Sequence, residues 1–276
     1  MSDAILVLNA GSSSIKFSLF VLKDADETAF VLGGQLQGLQ STPQFTAKNV
    51  AGEMMAEHRW PEDDALGHDG AIAYIHHFLQ QHAAQYVLKA VGHRVVHGGA
   101  EFVAPVTVTH EVLEKLETLI PLAPLHQPHN LQLIHLLSQQ QQELPQVACF
   151  DTAFHHTQTP LERRYALPSS IIEKGVCRYG FHGLSYEYMA VSALPRFAPE
   201  LVDKKVIVLH MGNGVSLCAM QSGKSIATTM GFSALDGVPM SSRCGSLDPG
   251  VLLYLLDELA LSAKEIADLL YKQSGL

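Results

Sequence analysis

Small polar residues interrupt an apolar run at NAGSSS, Asn9 to Ser14, and Lys16 follows two positions later. The run before it is ILVL, and alternation resumes with Ile15, Phe17 and Leu19. A hairpin turn accounts for this composition. So does an anion cradle, because Gly11 lets backbone N–H groups approach a phosphate and Ser12 and Ser14 add hydroxyl donors. The GxxxxGK[ST] spacing of a Walker loop is absent. The same design returns in VIVLHMGNGVSLCAM, Val206 to Met220, where His210, Gly212 and Asn213 correspond to Asn9, Gly11 and Ser12. Two such turns facing each other can hold one polyphosphate.

Other segments carry charge. GHRVVHGG places Arg94 after an apolar run, where an unpartnered guanidinium is costly to bury. A structural ion pair and a fork for carboxylate or phosphate both satisfy it. Arg243, in SSRCGSLDPG, has a similar Gly/Ser-rich setting and is a second candidate clamp. His182, in RYGFHG, sits among aromatic residues and glycines that restrict its ring, as a packed loop histidine or as a functional one. Asp151 ends the apolar run QVACF, a frequent place for a catalytic or metal-linked carboxylate in α/β folds and equally for a capping side chain. Fifteen histidines raise the question of a metal centre. Yet His93, His97, His126, His129, His155, His156, His182 and His210 show no HExxH or comparable ligand spacing.

These residues need a frame. Strand-like alternation in the first fifty or so residues, including 30–38 and 45–50, supplies it for the first turn. Helical spacing follows at Ile72, Ile75, Phe78 and Leu79, with Asp69 placed to cap the start. The apolar run 86–91 leads to Arg94. Leu113, Leu116 and Ile120 outline a second helix. Pro128 opens a third with Leu131, Ile134 and Leu137 on its apolar face, and the glutamines after it form a solvated end. Residues 160–168 read as a crossing between lobes. Asp248 and Pro249 begin a helix, Ser262 and Glu265 form a capping box, and Gly275 is a C-cap. The repeated strand-turn-strand unit divides the chain into lobes 1–152 and 153–276.

The chain has 276 residues, 47% of them hydrophobic, enough for a sizeable core in two domains. With 18 basic and 27 acidic residues it carries a net charge of -9 and no basic stretch, which argues against a nucleic-acid partner. Cys149, Cys177, Cys218 and Cys244 lie far apart without CxxC spacing. MSDAILVL lacks the basic start of a signal peptide, and no apolar run reaches the ~20 residues of a membrane span. The expectation is a soluble, reduced, cytoplasmic protein.

Taken in order, NAGSSSIKF, GHRVVHGG, PLAPLHQPHN, FDTAFH, YGFHGLS, HMGNGVS, MGFSALDG and SSRCGSLDPG resemble the acetate kinase family, the acetate and propionate kinases of the sugar-kinase, heat-shock-protein and actin superfamily. The resemblance implies an α/β, two-lobed, ribonuclease H-like duplicated fold with its active site in the cleft. It implies reversible transfer of the ATP γ-phosphoryl group to acetate or propionate, with Mg²⁺, in a homodimer. On the matching positions Asn9 would help place the metal, while Ser12, Ser14 and Lys16 lie at the phosphates. Arg94 would bind the carboxylate, beside a small apolar pocket walled by Val96, Leu125 and Phe181, with His126 adjoining. Asp151 would be the catalytic acid residue. His182 and Arg243 would stabilise the transition state, and His210, Met211, Gly212, Asn213 and Gly214 would form the second phosphate loop.

The chain departs from the family pattern in places. GFTPLEG reads GFSALDG, so Ala234 replaces a pocket proline and the pocket is expected to admit propionate as well as acetate. FHGTSH reads FHGLSY, with Leu184 and Tyr186, and Ser246 stands where an acidic residue usually precedes LDPG. Family members also continue well beyond SGL, into adenosine-binding and metal-linked segments. The resemblance therefore implies a C-terminally truncated chain with an incomplete second lobe and weak or no kinase activity. Two other expectations follow from such a chain: a non-catalytic module that self-associates, or an acyl-phosphate hydrolase in which water replaces ADP.

Overall fold

The computed structural model describes residues 1–24, 27–62 and 65–276. The chain divides into two compact units, the first comprising Met1–His97 with Ala104–Cys149 and the second Gly98–Val103 with Phe150–Leu276.

The first unit opens on an antiparallel run of strands: β1 (Ser2–Ala10), β2 (Ser14–Asp24), β3 (Glu27–Gln37), β4 (Gln44–Asn49) and β5 (Met54–Arg59). Helix α1 (Gly67–His82) crosses back to β6 (Tyr86–Val95), which lies parallel to β1. Then come β7 (Val106–Thr107), α2 (His110–Glu117), α3 (Gln127–Gln140) and β8 (Gln146–Phe150). The sheet order is β5-β4-β3-β2-β1-β6-β8-β7. Alternation decides which residues face the core: in β1, Ala4, Leu6, Leu8 and Ala10 are buried, so Asn9 points to the opposite face. Phe17, Phe45 and Phe78 meet at ring centroid separations of 5.1–6.0 Å, and each such pair adds ~1 kcal/mol beyond area burial. Gly34 makes this possible, because a Cβ there would stand 2.8 Å from the Phe17 ring.

Two helix boundaries of this unit differ from those the sequence suggests. Helix α1 starts at Gly67, with Leu66 as N-cap and no capping side chain, and Asp69 lies within its first turn. Tertiary bonds set this start: the Gly67 N–H donates to Leu39 O, and His68 reaches back to Gly11. Asp69 still opposes the positive helix end. Helix α2 ends at Glu117, and Ile120 begins a separate 3₁₀ turn because Pro121 disfavours the helical conformation just before it. Helix α3 has Pro128 in its first turn and buries Leu131, Ile134 and Leu137 as expected.

The second unit contains α4 (Pro160–Arg163), α5 (Ser169–Ile172), α6 (Gly183–Tyr188) and α7 (Leu194–Phe197), then β9 (Lys205–Met211), β10 (Val215–Gln221), β11 (Lys224–Thr228), α8 (Pro249–Asp257) and α9 (Ala263–Lys272). Residues 160–168 lie inside this unit rather than crossing between units. Thr159 caps α4, Pro160 fits its first position, and the Arg163 carbonyl accepts from the Arg178 N–H at 2.7 Å. A π-turn, Met189–Ala193, joins α6 to α7 and widens the helix ahead of Pro195, whose ring would crowd an ordinary turn. β9 and β10 form a hairpin, with β11 on the other edge of β10. Ser262 and Glu265 form the expected capping box of α9, but its C-cap is Gln273. Gly275, with φ +98°, serves a later turn that brings the Leu276 N–H to Met240 O at 3.0 Å.

Each unit buries a histidine in neutral form. His93 donates from Nε2 to Gln146 Oε1 at 2.8 Å, and burial pulls its pKa to about 4. His155 lies between Ser225 Oγ and Phe181 O, each at 2.9 Å, and burial likewise pulls it to about 4 against opposing contributions from Phe181 and Asp151. Both pKa values are below the unfolded 6.5, so stability is fully present above pH 6.5 and is lost as pH falls through 4. A shift of this size is worth ~3 kcal/mol per histidine. Urea midpoints measured across this range should fall steeply on acidification, and His155→Gln should flatten the slope. A midpoint independent of pH from 6.5 to 4 would show that neither ring resists protonation.

Candidate functional site

The turn between β1 and β2 is defined by where its carbonyls go. Ala10 O accepts from Asn130 Nδ2 at 2.7 Å, Gly11 O meets His68 Nε2 at 2.8 Å, and Ser12 O accepts from Gln40 Nε2 at 3.4 Å. Ser13 O accepts from the Leu39 N–H at 3.2 Å, and Ser14 O from the Gly11 N–H at 2.7 Å. C=O and N–H point in opposite directions across a trans peptide, and none of the described peptide bonds is cis. The N–H groups of Ser12 and Ser13 therefore face away from His68 and Gln40. A Cβ at Gly11 would meet only Ser14, at 3.4 and 3.6 Å, so the turn itself does not require glycine. What glycine leaves is room beside the Ser14 hydroxyl.

Asn9 stands across the ladder from Lys16, and its Oδ1 accepts from Arg94 NH1 at 3.1 Å. Arg94 lies one residue from the end of β6. The segment after it is held by α3. The Val96 N–H donates to Asn130 Oδ1 at 2.9 Å, the His97 N–H donates to Gln127 Oε1 at 3.1 Å, and Gln127 Nε2 returns a bond to His97 O at 3.0 Å. Val96 is buried, Leu125 is exposed, and His126 is the N-cap of α3. Asn130, Gln127 and His68 are the residues of this unit that sequence reasoning missed. HQPHN carried the only available signal, two amides three positions apart at a helix start.

In the second unit, the β9–β10 turn closes with the Gly212 N–H donating to Gly214 O at 3.1 Å. The first turn spans four residues between its paired positions Ala10 and Ile15, the second three between Met211 and Val215. The internal likeness is therefore real but offset by one residue. His182 adopts the left-handed conformation, φ 61°, directly before α6, and the Gly183 N–H donates to Asp151 O at 2.8 Å. Its ring stacks on His210 at 4.0 Å, its Nδ1 meets Ser216 Oγ at 2.8 Å, and His210 Nδ1 meets Ser185 Oγ at 3.0 Å. A Cβ on Gly214 would lie 3.1 Å from His182 Nε2 and 3.7 Å from Arg243 NH1, so the loop backbone passes against both. Met211 and Asn213 are exposed, and Phe181 and Asp151 are buried. Burial works against the Arg243 charge, with Tyr271 opposing it.

The departing residues touch one another. Arg243 NH1 donates to Ala234 O at 3.0 Å, and Ser246 Oγ donates to Asp236 Oδ1 at 2.7 Å. Asp236 also accepts from the Gly237 N–H at 2.8 Å and pairs with Arg178 at 3.3 Å. The GFSALDG and SSRCGSLDPG loops are thus cross-linked, which fixes the approach of Arg243. Among the described residues no group of three or more His, Cys, Asp or Glu is placed to hold a metal ion. None of the described helices is long and apolar enough to cross a membrane.

Residues 4–276 match the family model described as the Acetokinase family. Acetate kinase of Rhodopseudomonas palustris strain ATCC BAA-98 / CGA009 is 51% identical over 279 residues, spanning 100% of this chain and 69% of that protein. A propionate kinase from Francisella tularensis subsp. tularensis SCHU S4 superposes with a TM-score of 0.87 at 36% identity, covering 99% of this chain and 69% of its own. Porphyromonas gingivalis acetate kinase does so with a TM-score of 0.82 at 34% identity, over 99% of this chain and 69% of that one. The mixed sheet and duplicated hairpins are accordingly those of the two-lobed sugar-kinase, heat-shock-protein and actin fold. The chain belongs to the acetokinase family.

Proposed function

We propose that this chain transfers the γ-phosphoryl group of ATP to acetate or propionate, reversibly, giving the acyl phosphate and ADP. The observation that carries the reading is the β1–β2 turn, whose five carbonyls from Ala10 to Ser14 are held by donors of the first unit. A turn so held offers N–H groups and serine hydroxyls to an anion without rearranging. Ser12, Ser14 and Lys16 then bind phosphate oxygens, and residues 210–214 form a second phosphate loop. Arg94 holds the carboxylate through its guanidinium, with Val96 and Leu125 beside the alkyl chain and His126 adjoining. His182 and Arg243 meet the charge spread over the equatorial oxygens of the transferring group.

A carboxylate is ionised at neutral pH, with a pKa of about 4, so no strong general base is needed. Asp151 accordingly acts by fixed charge, orienting an arginine or the metal shell rather than moving a proton. Mg²⁺ fits the residues present: Asn9 Oδ1 is a hard oxygen donor that accepts one bond from Arg94 and keeps a lone pair, and magnesium retains several waters beside one or two protein ligands. When bound, it neutralises charge on the β- and γ-phosphates. The domain boundary near residue 152, a homodimer and a cytoplasmic setting belong to the same reading.

Trapping acyl phosphate as the hydroxamate, with ATP and acetate as substrates, tests the function directly. Arg94→Ala should raise KM for the carboxylate about 10- to 100-fold, the loss of one charge-assisted interaction, with a smaller change for ATP. No hydroxamate above a no-enzyme blank, at protein concentrations high enough to register the weak turnover expected of this chain, would end the proposal. Asp151→Asn should lower kcat while leaving the pH profile unchanged, and a shifted profile would identify Asp151 as a proton carrier instead. The small Ala234 side chain leaves chain-length choice relaxed, since one methylene discriminates by only ~1–3 kcal/mol. kcat/KM for acetate and propionate should agree within about tenfold, and Ala234→Pro should widen the gap. A sharp acetate preference in the unmodified chain would rule this out.

A further inference from the structure

Ser216 Oγ is shared by two partners, His182 Nδ1 at 2.8 Å and the Tyr186 hydroxyl. Ser216 and Tyr186 are completely buried, so no solvent proton competes at either hydroxyl. A serine hydroxyl has one proton for two partners, and its direction decides which nitrogen of His182 is bare. A phenol is the stronger acid of the two hydroxyls and the better donor. It also stays protonated, because burial pushes the Tyr186 phenol up to about 12. Tyr186 thus donates to Ser216, and Ser216 donates to Nδ1. In a neutral imidazole the ring proton is then on Nε2, the atom that faces the Gly214 backbone near Arg243 NH1.

We propose that Tyr186 and Ser216 are positioning residues that hold the ring proton of His182 on Nε2, so that this nitrogen is a donor. The catalytic meaning rests on His182 contacting the transferring phosphoryl group. The left-handed backbone at His182 and the Gly183–Asp151 bond fix where the ring emerges, and stacking on His210 fixes its plane. The hydroxyl relay adds the remaining specification, the tautomer. The family motif has histidine at position 186, a residue able to donate or accept. Tyrosine removes that ambiguity by keeping its proton.

Long-range ¹H–¹⁵N spectra of the histidine-labelled 276-residue chain read the tautomer without turnover, with the His182 signals identified by their loss in His182→Asn. The expected result is a bare Nδ1 and a protonated Nε2 at neutral pH. Ser216→Ala should move the two nitrogen shifts toward each other, Tyr186→Phe should do so in part, and Ser216→Thr should restore the unmodified pattern. In turnover, Ser216→Ala should lower kcat about tenfold with KM values changed less than twofold, and Ser216→Thr should recover it. A protonated Nδ1, or nitrogen shifts unmoved by Ser216→Ala, overturns the relay. Full turnover by His182→Asn, with the tautomer in the unmodified chain as expected, overturns instead the assignment of His182 to the phosphoryl group.

Discussion

The amide of Asn130 satisfies two backbone groups from different parts of the first unit, the Ala10 carbonyl at the end of β1 and the Val96 N–H just after β6. Asn130 is buried, and a backbone group left without its partner there would cost about 1–3 kcal/mol. One planar side chain therefore sets the distance between the phosphate turn and the segment carrying Arg94. Helix α3 has to start where it does for this to work, with Pro128 ahead and the apolar stripe of Leu131, Ile134 and Leu137 anchoring it from behind. Packing holds the helix, the helix holds the amide, and the amide holds two functional segments.

The second unit solves the same problem with rings and hydroxyls. His182 takes its direction from a strained backbone conformation, its plane from His210 and its hydrogen-bond polarity from Ser216. The strain is local and is offset by the α6 helix that follows immediately. Gly214 completes the arrangement by carrying no side chain where the ring and the guanidinium approach. Both units thus present a short turn braced by a side chain from elsewhere, Asn130 on Ala10 O in the first and Ser241 Oγ on Asn213 O at 3.2 Å in the second, a requirement for electrostatic stabilisation that does not spend energy on reorganisation.

Much of this was legible from composition and order. Strand alternation, the Pro128 helix and the Ser262–Glu265 box are local signals, and each is where its pattern places it. NAGSSS, Arg94, Asp151 and His182 stand out because small or charged residues are unexpected beside apolar runs. Asn130 and His68 were invisible for the opposite reason. Their roles are side-chain bonds to backbone carbonyls 120 and 57 positions away, and no spacing rule encodes a contact of that kind. Asp69 misled as a cap because tertiary bonds at Gly67 and His68 start the helix earlier. Tyr186 looked like a mere departure from a motif until Ser216 was seen to lie between it and His182.

The Asp236–Ser246 bond joins two positions at which this chain differs from the family pattern. Glutamate at the first and an acidic residue at the second, each introduced alone, would set a longer or second carboxylate against a contact sized for a hydroxyl. The two positions therefore act as one contact: the Asp236 carboxyl is shared by Ser246, the Gly237 N–H and Arg178, so a change of side-chain length at either position is felt by the loop that carries Arg243.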